Sequence, residues 1–184
     1  DQKKVQQVVT ARRKALEKFQ NYTMANLGQW SIVAIPNPEW ALKVFPQEQP
    51  DTAVEKLWDA ILASVRIQDQ QDPIPLWEKH NRQLSERNDW LNRQRFAALH
   101  FKNQKGTDLI VELAEGHLWE GGCEKSQSGV VFNPNMPTEE NFTMPKRTGV
   151  RGKVQATKPL SYQGKLIQNF WIEFEEGKAV RWHA

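Results

Sequence analysis

The sequence predicts an α/β segment followed by an antiparallel, β-rich α+β segment, and three observations carry that prediction. Of the ten glycines only Gly28 precedes residue 106, so the first half suits helices and the second suits turns. Apolar residues recur at steps of three and four in the first half and alternate in the second, the periods of helix and strand. The short apolar run Ser31-Ile32-Val33-Ala34-Ile35 interrupts the helical part. It reads as a strand buried on both faces, as in a parallel sheet. Helices around one buried strand describe the end of a doubly wound α/β domain.

The elements follow in order. Val5, Val8, Val9, Ala15, Leu16 and Phe19 mark one helix face, with Gly28 as its left-handed stop. Pro36-Asn37-Pro38 forces a turn, and Glu39 to Phe45 is a short helix. Asp51 caps the next helix, whose face is Val54, Leu57, Trp58, Ile61, Leu62 and Val65. Asp72-Pro73 opens another, with Leu76, Trp77, His80, Leu84 and Leu91 on one side. Two alternating runs, Ala97 to Phe101 and Thr107 to Leu113, form a hairpin through Asn103-Gln104-Lys105-Gly106. Val150, Val154 and Ala156 alternate with Arg151, Lys153 and Gln155 in a strand with one wet face. Leu166 to Glu175 reads as one long strand, which Glu176-Gly177 turns into Ala179 to His183. The change of period sets a boundary near residues 94–96.

Composition excludes several classes of protein. At 39% hydrophobic and 26% charged the 184 residues are globular rather than disordered. No apolar run reaches the roughly 20 residues of a membrane span, and no secretory leader is visible. The net charge of +3 is mixed along the chain instead of gathered in a stripe, which disfavours a nucleic-acid partner. The single cysteine, Cys123, has no disulfide partner, and a reducing, cytoplasmic setting fits. The chain opens on Asp1 inside a helical pattern, which points to a trimmed start.

Phosphate-binding glycine loops, nucleophile elbows and His-Glu-x-x-His are absent. One loop stands out, from Phe132 to Pro145, in which Pro134, Pro137 and Pro145 bracket Thr138-Glu139-Glu140-Asn141. A stiff loop presenting carboxylates suits a divalent cation, which favours preplaced oxygen ligands. One glutamate can ligate the metal while its neighbour accepts a proton. The alternative is a solvated turn, or a helix start capped by Thr138, and spacing alone favours it. His80 belongs with Leu84 on a helix face and reads as core; His100, His117 and His183 show no convergence. Lys146-Arg147 is a solvated pair or faces an anionic substrate terminus.

At that loop the chain resembles a known family. Leu99-His100-Phe101, Gly106-Thr107-Asp108-Leu109 and Gly116-His117-Leu118-Trp119 come first. Asn135-Met136-Pro137-Thr138-Glu139-Glu140, Phe142-Thr143 and Pro145 follow, then Thr157 to Tyr162, Gly164 and Ile167 to Phe170. In this order they resemble the M29 metallo-aminopeptidases (the aminopeptidase T, AmpS and PepS group), nearest the streptococcal PepS type. The match runs through 96–184 and more loosely through Trp40 and Asp72-Pro73. The resemblance implies a cytoplasmic dimer that removes N-terminal residues from peptides with two divalent ions (Zn, Co, Mg or Mn). It makes Glu140 a metal ligand and Glu139 a neighbour that accepts a proton or supports the ligand. The family's other ligands are expected beyond Ala184. Residues 1–95 are then the C-terminal part of an α/β domain, and 96–184 the first part of the metal-binding catalytic domain. The chain is expected to be an internal fragment, inactive alone. The competing expectation is a non-catalytic, Trp-rich protein-interaction module.

Overall fold

The computed structural model describes residues 2–68, 71–162 and 165–184; Asp1 and Gly164 of the sequence blocks lie outside them. In chain order the elements are α1 (Gln2–Ala15), α2 (Glu17–Met24), β1 (Ile32–Val33), α3 (Pro38–Val44), α4 (Pro50–Ser64) and α5 (Pro73–Gln94). Then come β2 (Ala98–Lys102), β3 (Asp108–Leu113), β4 (Glu124–Lys125), β5 (Val131–Phe132), β6 (Asn135–Met136) and β7 (Pro145–Gln155). The chain closes with β8 (Leu160–Tyr162), β9 (Lys165–Ile167), β10 (Trp171–Glu175) and β11 (Lys178–His183). No described helix is long and apolar enough to cross a membrane.

The chain divides into two compact units: Asp1–Gln20, Asp89–Trp119 and Phe142–Ala184 form one, and Asn21–Asn88 with Glu120–Asn141 the other. The first unit holds a five-stranded antiparallel sheet in the order β11-β10-β7-β3-β2. Its β2–β3 hairpin closes through Asn103, whose side-chain oxygen accepts from the N–H groups of Lys105 (2.9 Å) and Thr107 (3.2 Å). Glu176 and Gly177 both take positive φ between β10 and β11, the left-handed pair a two-residue hairpin needs.

On that hairpin, Asp108 meets two partners: His100 Nε2 lies 2.7 Å from its Oδ1 and Lys102 Nζ lies 3.0 Å from its Oδ2. The His100 hydrogen bond first, then Lys102, holds the Asp108 carboxyl below its ordinary value. A carboxylate depressed in the folded state stabilises it above the ordinary titration range. That contribution is lost as pH falls through the lower, folded value. His100→Ala should therefore move the Asp108 titration upward, read from its carboxyl carbon by NMR; an unmoved midpoint would show that the histidine does not hold the charge.

The second unit is built on helices. Asn37 caps α3, its side-chain oxygen accepting from Trp40 N–H at 2.9 Å. Ala41 of α3 packs with Ala53, Leu57 and Ile61 of α4, supported by Ala34, Leu42, Phe45 and Val54. The buried face of α5 is Trp77, His80 and Leu84, as the periodicity predicts. Asp72 Oδ1 accepts from Ile74 N–H at 3.0 Å and starts α5.

Several expectations need correction. The parallel strand exists, because β1 pairs with β6, but Ile32 and Val33 are 62% and 52% exposed. A two-stranded ribbon without covering layers cannot bury both faces. The first helix is two segments, and its apolar residues Val5, Val8, Val9, Leu16 and Phe19 are exposed. It ends at Met24, and the left-handed residue is Asn26, not Gly28. Pro50 begins α4 and Gln49 takes the cap position, leaving Asp51 in the first turn, where its charge suits the helix dipole. The long strand is interrupted: Asn169 has φ +54°, and β9 and β10 lie on either side of it.

Candidate metal-binding site

The glutamate pair lies in the second unit, on the segment that follows β6. No helix starts there. Thr138 is buried, so the capping alternative fails. Two sets of side-chain contacts, one on either side of it, hold the segment within its unit. Asn81 and Asn133 exchange reciprocal amide hydrogen bonds at 2.9 Å. Asn141 donates to Leu84 O (3.0 Å) and to Asn88 Oδ1 (2.6 Å), while Asn88 donates to Gly121 O (3.1 Å). Asn81 and Asn88 are seven residues apart on α5, flanking fully buried Leu84, and these two amides act as clamps.

Gly121 adds a steric requirement. Its φ is +149°, and a Cβ built on it would lie 2.2 Å from Glu140 O. The backbone carrying Glu140 thus sits where only a glycine neighbour leaves room.

His80 and Arg66 complete the frame. His80 Nε2 lies 2.6 Å from Thr138 O; a carbonyl only accepts, so this nitrogen carries the hydrogen. His80 Nδ1 then accepts from Arg66 Nη2 at 3.1 Å. Both ring nitrogens are committed within the protein, which removes His80 as a metal ligand and supports its reading as core. The same Arg66 nitrogen meets Glu139 Oε1 at 2.5 Å, and its guanidinium lies 5.2 Å from the Trp77 ring centre. Trp77 is anchored in turn by donating to Val65 O at 2.8 Å.

The two glutamates therefore differ. Glu139 is paired; Glu140 is exposed, and no described residue bonds to its carboxylate. Together with Asn135, Pro137 and Thr138 they line an open depression of about 490 Å³. A free carboxylate on a braced segment suits one position of a divalent cation. The described residues contain no group of three or more His, Cys, Asp or Glu able to hold a metal by themselves, so Glu140 fits as one ligand of an incomplete set.

The other candidates are engaged elsewhere. His117 Nδ1 donates to Ala114 O at 2.9 Å, and His183 stacks on Trp171. Cys123 is exposed in a loop. Lys146 pairs with Glu112 at 3.3 Å, and with Arg147 it lines a larger cleft of about 1060 Å³ in the first unit. That cleft contains neither glutamate of the pair, so chemistry and not size identifies the candidate site. Arg66, Asn81, Asn88 and Gly121 escape a reading by motif, because none belongs to a recognisable chemical motif.

Comparison with known proteins names the class first: these are metalloproteases. The family described as thermophilic metalloprotease (M29) matches residues 1–184, and the chain belongs to that family. It is 50% identical to aminopeptidase T of Thermus thermophilus over 151 residues, covering 82% of this chain and 36% of that protein. With aminopeptidase 2 of Geobacillus stearothermophilus it shares 44% over 180 residues, 96% of this chain and 43% of that one. Identity to aminopeptidase PepS of Streptococcus thermophilus is 38% over 167 residues, covering 90% and 40%, below that to the Thermus protein. Among solved structures, wild-type AmpT from Thermus thermophilus matches with a TM-score of 0.88 and 42% identity, over 98% of this chain and 43% of that one. The chain thus spans about two-fifths of the length of these relatives.

Proposed function

We propose that this chain is part of a dinuclear-metal aminopeptidase that removes N-terminal residues from peptides, with Glu140 as one metal ligand. The observation that carries the proposal is the free Glu140 carboxylate on its braced segment, in a chain that matches M29 throughout. The named relatives, all aminopeptidases, support the activity, and they give no support to an interaction module. Two divalent ions, of Zn, Co, Mg or Mn, would supply Lewis acidity at the scissile carbonyl and a hydroxide-like nucleophile near neutral pH. Glu140 contributes a carboxylate oxygen to that centre. Glu139 is the candidate for accepting a proton or for supporting the ligand, and its pairing with Arg66 favours support.

We assign residues 1–95 to the C-terminal part of a doubly wound α/β domain and 96–184 to the first part of the catalytic domain. Substrates are peptides, the whole enzyme is a homodimer, and its compartment is the cytoplasm, where an exposed lone thiol such as Cys123 persists reduced.

The 184-residue chain and the full-length product of its gene should be assayed side by side on amino-acid p-nitroanilides with Co²⁺ or Zn²⁺. Turnover is expected from the full-length protein only. Turnover by the short chain would overturn the claim that its ligand set is incomplete, and inactivity of both would overturn the aminopeptidase assignment.

A further inference from the structure

We propose that Arg66 is a positioning residue: it sequesters Glu139, so that Glu140 alone is offered to the metal. The inference rests on the reading of Glu140 as a ligand. Two adjacent carboxylates on one segment compete for the same cation. Committing one to a fixed guanidinium settles the choice before the ion arrives.

Arg66 is held more firmly than a surface arginine. Its side chain is 24% exposed against 60% for Glu139. The guanidinium lies against Trp77 and donates to both His80 and Glu139. His80 in turn donates to Thr138 O. One network therefore reaches both residues that precede Glu140. An exposed ion pair ordinarily spends most of its attraction on ordering two side chains; here stacking and the imidazole order one of them already.

The backbone offers a separate observation. After α4, Arg66 N–H reaches Ala63 O (3.1 Å) and Ile67 N–H reaches Leu62 O (2.8 Å). This is the Schellman ending, whose left-handed position glycine usually fills. Arg66 occupies it at φ +62°. A bulky side chain is strained there, so the position accepts backbone cost while retaining a side chain that reaches Glu139. A lysine cannot replace it, having neither the planar fork nor the flat face that stacks.

The test uses the full-length enzyme, stripped of metal by chelation and titrated with Co²⁺, reading the visible absorption band and the affinity. Arg66→Gln should weaken Co²⁺ binding by about tenfold to a hundredfold, as removal of a ligand-orienting partner does, and should alter the band as Glu139 becomes a rival ligand. Glu139→Gln alone is titrated beside them as the reference for the double variant. In the Arg66→Gln background, Glu139→Gln should restore the band and most of the affinity. Failure of that rescue would overturn the proposal in favour of a merely structural arginine, as would an unchanged Arg66→Gln titration. If Arg66→Gln does not fold, Arg66→Lys takes its place in the same comparison. Glu140→Gln separates the two readings. If it leaves the titration unchanged, Glu140 is no ligand; if it removes an ion while the Arg66 variant does not, only the positioning role falls.

Discussion

Glu140→Gln in the full-length enzyme is expected to cost about 10³-fold in kcat while leaving the fold intact. The amide keeps the shape of the side chain and loses its charge, and no described residue depends on that carboxylate. Structural damage should therefore be small, in contrast to changes at the buried side chains of the same unit. On the proposed role of Glu140, what is lost is one anionic ligand of a centre whose Lewis acidity would be worth several kcal/mol to the transition state. About 4 kcal/mol corresponds to about 10³ in rate. The measurement is kcat on a p-nitroanilide beside the metal content of the dialysed protein. A variant that keeps its full metal content and rate would remove Glu140 from the site.

Gly121→Ala should produce the largest effect after Glu140→Gln. The added methyl would meet Glu140 O at 2.2 Å, and the φ of +149° is itself unfavourable for any residue with a side chain. Backbone strain of about 1–3 kcal/mol and overpacking of similar size together suggest a loss of roughly 3 kcal/mol. The obvious relief is displacement of the Glu140 peptide, so metal affinity should fall with stability. Gly106→Ala is the control: its φ is +104° and the space about it is open, so it should cost only the backbone strain, at the low end of about 1–3 kcal/mol. Urea unfolding of both variants reads the difference. Equal costs would show that the contact with Glu140 is easily relieved.

The parts of the fold that local pattern determines were visible in the sequence. The short helix after Pro36-Asn37-Pro38, the Asp72-Pro73 start, the buried face of α5 and the Asn103 and Glu176-Gly177 turns depend on residues within a few positions of one another. Burial was not visible in the same way. Ile32-Val33 has the composition of a covered strand, yet burial depends on neighbours that no local pattern supplies. Asn169 interrupts an apolar run because asparagine tolerates the left-handed region, a choice that the alternation around it conceals. At the site, the string of blocks led to Glu139 and Glu140, but the means of telling them apart lay elsewhere. Arg66 meets Glu139 from 73 positions away, and Asn88 meets Asn141 from 53. Only the amide positions 81 and 88, beside the buried face of Trp77, His80 and Leu84, offered a local hint.

Those long separations have a kinetic consequence. Ile32 pairs with Asn135, about a hundred positions along the chain, and Gln127 donates to Ala25 O across 102. Each such contact must first meet the entropy of closing a long loop, so α3, α4 and α5 can form well before the segment that presents Glu140. During refolding, recovery of a Co²⁺ band should lag behind recovery of helical circular dichroism. The Glu140 segment would then be among the last parts of its unit to consolidate, and metal uptake would mark the completion of folding.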